Sequence, residues 1–246
     1  MKSILSPSGL RLLRRFVRTR PLLGFDFDGV LAPMVADPAR AALPPRTRLL
    51  LQQLARLYPC IVISGRARHD VLGRVRGIPL RVIGNHGAEP GAPASMRREV
   101  RGWQSLLRTL AVPGIVIEDK GFSVAIHYRR SSRKLAARNA ILGCAEQLRN
   151  VRIVGGKDVV NLLPLRSPSK GDALERERRR TGCRTAIFIG DDETDEDAFA
   201  LAKDGRLLGI RVGRKPESRA SHYLRSQRDI DRLLHLLILG TMPFHG

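Results

Sequence analysis

Aromatic side chains make up only 4% of this chain of 246 residues, and no apolar run approaches the length of a membrane span. The first shortage leaves few platforms for base stacking and argues against nucleic-acid binding as the main role. The second argues against a transmembrane segment. Cysteine is scarce as well. Cys60, Cys144 and Cys183 are odd in number and lack metal-ligand spacing, so they fit a reduced, cytoplasmic setting and a packing role. Acids are the remaining deficit: 23 Asp and Glu against 44 Lys and Arg leave a formal net charge of +21. Such a field attracts nucleic acid, acidic lipid and phosphorylated metabolites alike, and by itself selects none of them. Lys2, Arg11, Arg14, Arg15, Arg18 and Arg20 crowd residues 1–20 without any acid. No uninterrupted apolar stretch follows them, which argues against a secretory signal. With Leu10, Leu13 and Val17 at helical spacing, the expectation is a short basic helix packed beside the first strand, the alternatives being a transit peptide and a membrane-surface helix.

What is there alternates. "PLLGFDFDG" reads as a buried strand that ends at Asp28-Gly29, and "CIVISGR" as a second that ends at Ser64-Gly65. Between them Leu50, Leu51, Leu54 and Leu57 share one helical face. A helix over 69–75 and a strand over 80–83 follow, and the rhythm predicts a parallel sheet with helices on both faces. Pro and Gly then crowd 87–93, the expected hinge. Beyond it a helix-strand-strand unit occurs twice: a helix over 97–110 with strands over 115–118 and 122–128, then a helix over 133–149 with strands over 151–154 and 158–163. That pattern predicts a small α+β unit with an antiparallel sheet, in which Trp103 serves the core. A helix over 170–180, strands over 185–189 and 207–212, and a last helix carrying Ile230, Leu233, Leu234, Leu237 and Ile238 return to the first pattern. The expected architecture is α/β: a doubly wound, Rossmann-like parallel-sheet core over 21–86 and 167–246, interrupted by an inserted α+β cap over 87–166, after a basic segment over 1–20.

Ligands of open α/β sheets gather beyond the carboxyl ends of the strands. The polar residues expected there are Asp26, Asp28, Ser64, Asp191 and Asp192, with Lys170 opening a helix nearby. Six acids fill seven positions from Asp191 to Asp197 in "FIGDDETDEDAF", in a chain otherwise poor in acid. Helix starts favour acids, which accounts for Glu196, Asp197 and Glu193. It does not account for Asp191 and Asp192 at a strand exit opposite another aspartate pair. Carboxylates that converge repel one another unless a cation holds them, and oxygen-only ligands suit Mg²⁺. One reaction uses the whole set. Asp26 attacks phosphorus, Asp28 protonates the departing alkoxide and then deprotonates water, and Ser64 and Lys170 hold the phosphoryl oxygens.

"FDFDGVLAP", "ISGR", "KGDAL" and "GDDETDEDAF", in this order, resemble the four motifs of the haloacid-dehalogenase (HAD) phosphohydrolases. More narrowly, "GNHGAE", "EDKGFSVAIHYR", "GKDVVNLLP" and "FIGDDETDEDAF" are similar to trehalose-6-phosphate phosphatases, over roughly nine-tenths of the chain. The resemblance implies an aspartyl-phosphate mechanism with Asp26 as nucleophile and Asp28 as acid/base, its backbone carbonyl also reaching Mg²⁺. It implies Asp191 as the third metal ligand, Asp192 and Asp195 as its neighbours, and Arg66 as a brace for the strand end. Glu118, Lys120, His127, Arg129 and Lys157 match positions that face the sugar, with His86 and Glu89 as further candidates.

One departure bears on the substrate. The family commonly reads Gly-Lys-x-Val-x-Glu-x-Arg-Pro where this chain has "GKDVVNLLP", so Asn161 replaces a Glu and Leu163 an Arg. Asn161 can still bond a hydroxyl, but as a neutral amide. The expected activity is Mg²⁺-dependent hydrolysis of trehalose 6-phosphate, a step of trehalose biosynthesis, by a monomer acting on a small sugar phosphate. The alternatives are another sugar phosphate, such as sucrose 6-phosphate or a glycosyl-phosphoglycerate, and, in a different class, a basic nucleic-acid or membrane-surface protein on an inactive scaffold. The complete set of Asp26, Asp28, Ser64, Lys170 and Asp191 argues against the last.

Overall fold

The computed structural model describes residues 1–35 and 37–240; residue 36 and the last six residues of the expected core lie outside the described residues. Seven strands form one sheet in which every pairing is parallel. They are β1 (Lys2–Ser3), β2 (Leu22–Phe25), β3 (Cys60–Ile63), β4 (Arg81–Ile83), β9 (Ala186–Gly190), β10 (Leu207–Val212) and β11 (His222–Leu224). Their spatial order is β1-β11-β10-β9-β2-β3-β4. The chain therefore builds outward from β2 in one direction through β3 and β4, and later from β9 in the other. The order reverses between β2 and β9, and a crevice opens beyond the carboxyl ends of strands at such a point.

Side chains of a strand alternate between faces, and the core divides accordingly. Leu23, Phe25, Ile187 and Ile189 pack with helices α1 (Pro7–Val17), α2 (Pro45–Leu57) and α8 (Ile230–Leu239). Leu22, Ala186 and Phe188 pack on the opposite face against α6 (Lys170–Arg180) and α7 (Glu196–Phe199). The basic N-terminal segment joins the first of these cores through Leu13 and Val17 of α1, capped by Ser6, whose hydroxyl accepts from the Gly9 N–H. The segment also supplies β1, at the sheet edge beside β11. Neither strand is legible in the sequence. Lys-Ser and His-Tyr-Leu are too short and too polar to stand out, and only the pairing of β11 with β10 brings them into the sheet.

After β4 and the short helix α3 (Arg68–Arg74) that precedes it, the helix-strand-strand unit is present twice. The first is α4 (Ala94–Leu107), β5 (Val116–Asp119) and β6 (Val124–His127); the second is α5 (Lys134–Ala145), β7 (Val151–Gly156) and β8 (Val159–Pro164). α4 starts three residues earlier than the apolar spacing predicts, directly after Pro93, which suits a helix start. The four strands form a separate antiparallel sheet, ordered β5-β6-β8-β7. Val124, Ile126, Val160 and Leu162 face both helices and pack with Trp103, Leu107 and Ile141. Their alternates, His127, Val159 and Asn161, face the other way, toward the strand ends of the parallel sheet, where all three line a shared cavity.

Candidate active site

β2 and β9 pair from Leu22↔Ala186 to Phe25↔Ile189, and the Asp26 N–H continues the ladder onto the Ile189 carbonyl at 2.8 Å. The residues that follow each strand, Asp26 and Asp191, are thus set side by side at the reversal of strand order. Gly29 makes that approach feasible. It takes φ +75°, and a Cβ there would stand 2.0 Å from Asp191 Oδ2. Asp26 is buried, with Oδ1 accepting the Phe27 N–H at 2.6 Å and Oδ2 lying 2.8 Å from Lys170 Nζ. The same ammonium donates to Asp195 Oδ1 at 2.8 Å. Lys170 reaches this position because Ser169 and Asp172 close a reciprocal capping box that fixes the first turn of α6.

One oxygen from each of Asp26, Asp191 and Asp195 lies within 4.8 Å of the others. Burial pushes Asp26 well above the ordinary carboxylate range; Lys170 opposes the shift, and Asp195 and Asp191 add to it. Burial, then Asp195 and Asp192, pushes Asp191 up to about 7. Burial also raises Asp192. Lys170 shifts the opposite way for an ammonium: burial works against its charge, but Asp195 and Asp26 outweigh burial and raise it. Three crowded carboxylates with one balancing lysine form an oxygen-only donor set, which fits a hard divalent cation.

Asp28 has a different partner from the one that a metal role alone requires. Arg66 Nε and Nη2 grip both of its carboxylate oxygens, at 2.6 and 2.8 Å, and Nη1 reaches Asp70 at 2.8 Å. Arg66 therefore braces Asp28 itself. Ser64, at the end of β3, is buried and accepts the Arg66 N–H at 3.2 Å. Asp195 is wholly buried beneath the cavity; its Oδ2 accepts the N–H groups of Asp191 and Asp192, at 2.8 and 2.9 Å.

The antiparallel sheet covers this centre and encloses a cavity of about 420 Å³. Glu118, Lys120, His127, Arg129, Lys157 and Asn161 line it from that side; Asp26, Asp28, Ser64, Arg66, His86, Lys170, Asp191 and Asp192 line it from the other. His127 Nε2 and Glu118 Oε2 are 3.0 Å apart, and this hydrogen bond holds Glu118 below the usual carboxylate range. Lys120 spans the two sheets: its Nζ donates to the Gly65 carbonyl at 3.0 Å, and burial lowers its pKa. Arg129 donates to the Val35 carbonyl at 2.9 Å.

Glu89 does not line the cavity. Its Oε2 accepts the Arg68 N–H at 2.8 Å and the Asn85 amide at 2.6 Å, so it organises the turn after β4. Leu163 is fully buried and also absent from the cavity wall. The sequence gives no sign of Arg211 in β10. Its guanidinium donates to the Asp192 carbonyl at 3.1 Å, to Glu196 Oε1 at 2.9 Å and to the Asp191 carbonyl. Glu196, read above as a helix-start acid, is the anchor of that clamp. Glu193, another acid read as part of the helix start, lines the cavity, 3.7 Å from Lys215.

A model of the family described as trehalose-phosphatase matches residues 24–228, most of the chain. The chain belongs to the trehalose-phosphatase family. Among its relatives in that family, the trehalose-phosphate phosphatase of Mycolicibacterium paratuberculosis is 33% identical over 210 residues, 78% of this chain and 54% of that protein. The trehalose-phosphate phosphatase of Mycobacterium avium is 34% identical over 211 residues, with the same coverage. The chain thus spans about half the length of the curated relatives it matches. The C-terminal domain of Candida albicans trehalose-6-phosphate phosphatase superposes with a TM-score of 0.75 at 22% identity, covering 93% of this chain and 96% of that one. This likeness carries the fold to both sheets of the trehalose-phosphatase family member described here. Among the described residues no helix is long and apolar enough to cross a membrane.

Proposed function

We propose that the protein is a phosphoric monoester hydrolase that converts trehalose 6-phosphate to trehalose and inorganic phosphate. The observation that supports this best is the pairing of a buried aspartate with a buried lysine at the strand reversal, beneath a sheet whose polar face closes the cavity. Asp26 attacks phosphorus, the bond from phosphorus to the sugar oxygen breaks, and Asp28 delivers its proton to that oxygen. Water then attacks the aspartyl-phosphate, Asp28 takes the water proton, and phosphate leaves with the Asp26 carboxylate restored. The first half uses Asp28 as an acid and the second uses it as a base, and the Arg66 grip on both carboxylate oxygens holds it in place for each. Lys170 has three donors and spends two on Asp26 and Asp195, which leaves one for a phosphoryl oxygen. Ser64 offers its hydroxyl from the neighbouring strand end.

Asp26, the Asp28 backbone carbonyl and Asp191 would hold Mg²⁺, supported by Asp192 and Asp195. When bound, the ion screens the charge between the anionic nucleophile and the anionic phosphate. Glu118, Lys120, His127, Arg129, Lys157 and Asn161 would face the sugar, from a cap over 87–166 that opens and closes each cycle. Asn161, a neutral amide at a position where the family carries Glu, favours keeping a second reading: a different sugar phosphate, such as sucrose 6-phosphate or a glycosyl-phosphoglycerate. Rates across a panel of phosphorylated mono- and disaccharides test both. Clear preference for trehalose 6-phosphate supports the first reading, and a flat profile overturns it. Asp26→Asn is expected to abolish turnover of every substrate in the panel; substantial remaining activity would overturn the nucleophile assignment.

A further inference from the structure

Both ring nitrogens of His86 are buried without a hydrogen-bond partner, and among the described residues no other side chain is left with two such atoms. Buried polar atoms are nearly always satisfied, so a pair that is not, in the wall of a cavity, marks a place that a ligand completes. The residue is 6% exposed and lines the cavity. Its backbone sits in the left-handed region, at φ 57° and ψ 19°, an unfavourable conformation for a side chain of this size. The His86 N–H, which donates to the Ser64 carbonyl at 2.9 Å, helps to hold it there.

The ring is confined as well. A Cβ on Gly65 would stand 2.5 Å from the ring Cε1 and 2.8 Å from Nε2, so only glycine leaves room for the imidazole against the Ser64-Gly65-Arg66 turn. The Asn161 amide lies beside it and favours the charged ring, although neither ring nitrogen completes a hydrogen bond to it. Burial, then Lys120, Lys170 and Arg152, keeps the ring neutral, well below the ordinary histidine range. A neutral imidazole presents one N–H and one lone pair, which point in different directions. A phosphoryl oxygen can satisfy the N–H. The lone pair needs a donor, and the donors of a sugar phosphate are its hydroxyls.

We propose that His86 determines specificity by accepting a hydrogen bond from a substrate hydroxyl beside the phosphoryl-binding turn. This rests on the reading of the site as a sugar-phosphate phosphatase. The test compares kcat/KM for the best sugar phosphate of the panel with that for p-nitrophenyl phosphate, whose leaving group carries no sugar hydroxyl. In His86→Phe the ratio of sugar ester to aryl ester is expected to fall by about tenfold or more, the worth of a single hydrogen bond. His86→Gln, which keeps a donor and an acceptor, is expected to recover much of it. Equal losses for both esters would overturn the proposal, since the ring would then serve the phosphoryl group or the fold. An unchanged ratio would overturn it too, the ring holding water alone. Thermal melts check that the variants fold. If His86→Phe does not, His86→Leu, which also lacks both ring nitrogens but is smaller, replaces it: a fall of about tenfold in the same ratio supports the proposal, and an unchanged ratio overturns it. A protein that cleaves no sugar phosphate faster than the aryl ester would overturn the phosphatase reading together with this one. Rapid sugar-phosphate turnover with an unchanged ratio in the variant overturns this one alone.

Discussion

Lys170 Nζ stands 2.8 Å from Asp26 Oδ2, and both side chains are almost wholly shut off from solvent. Removing one partner of such a pair leaves an uncompensated buried charge, and here two carboxylates, Asp26 and Asp195, depend on the same ammonium. Lys170→Met is therefore expected to cost about 3–5 kcal/mol of stability without divalent cation. Urea unfolding measures it. A loss below about 1 kcal/mol would show that the carboxylates do without the lysine.

Asp191, raised to about 7, carries a proton at mildly acidic pH that a bound cation must displace. Mg²⁺ binding is expected to release protons at about pH 6 and to stop doing so as pH rises through about 7. Calorimetry in buffers of different protonation enthalpy reads this directly. The same shift has a sign for stability. A carboxyl raised on folding binds more protons native than unfolded between its ordinary value and about 7, so the metal-free protein loses stability from this group as pH rises through that window. Asp191→Asn is expected to remove that share of the pH dependence.

Arg211 ties the carbonyls of Asp191 and Asp192 to Glu196. Supporting contacts of this kind typically govern metal affinity by about 10–100-fold. Arg211→Gln is expected to weaken Mg²⁺ binding within that range. Because Glu196 acts through the same clamp, Glu196→Gln added to it should cost little more. Two independent losses that simply multiply would count against the clamp.

The two sheets are joined by a buried amide. Asn85 accepts the Ser123 hydroxyl at 2.6 Å and donates to Glu89 at 2.6 Å and to the Lys120 carbonyl at 3.2 Å. Asn85→Ala leaves those partners unsatisfied, at a cost of about 1–3 kcal/mol. Because Lys120 and Ser123 lie in the turn that joins β5 to β6 of the covering sheet, KM for a sugar phosphate should rise more than kcat falls. Faster limited proteolysis of residues 87–93 would accompany it.

Much of this was legible in the sequence because its signals are local. Alternating apolar strands, the Asp-x-Asp after β2, the Ser-Gly after β3 and the aspartates after β9 each declare a strand end, and strand ends of a parallel sheet converge by topology. His127 of β6 and Asn161 of β8 were singled out only through the resemblance to the family; the structure sets them on the cavity side because their neighbours Ile126 and Leu162 take the core. Pairing across distance was not legible. That Asp28 belongs to Arg66, that Asp195 lies beneath the cavity on Lys170, that Arg211 clamps the acidic loop and that Glu89 turns away into its own loop all depend on which side chain reaches which acceptor. Those choices follow from burial, because a group removed from water must find its partner among whatever the folded chain has placed nearby. The sequence by itself determined the elements and the chemistry that they carry; the packing of the two sheets decided which carboxylate meets a cation, which meets a backbone N–H, and why the His86 ring is left with two nitrogens that none of the described residues satisfies.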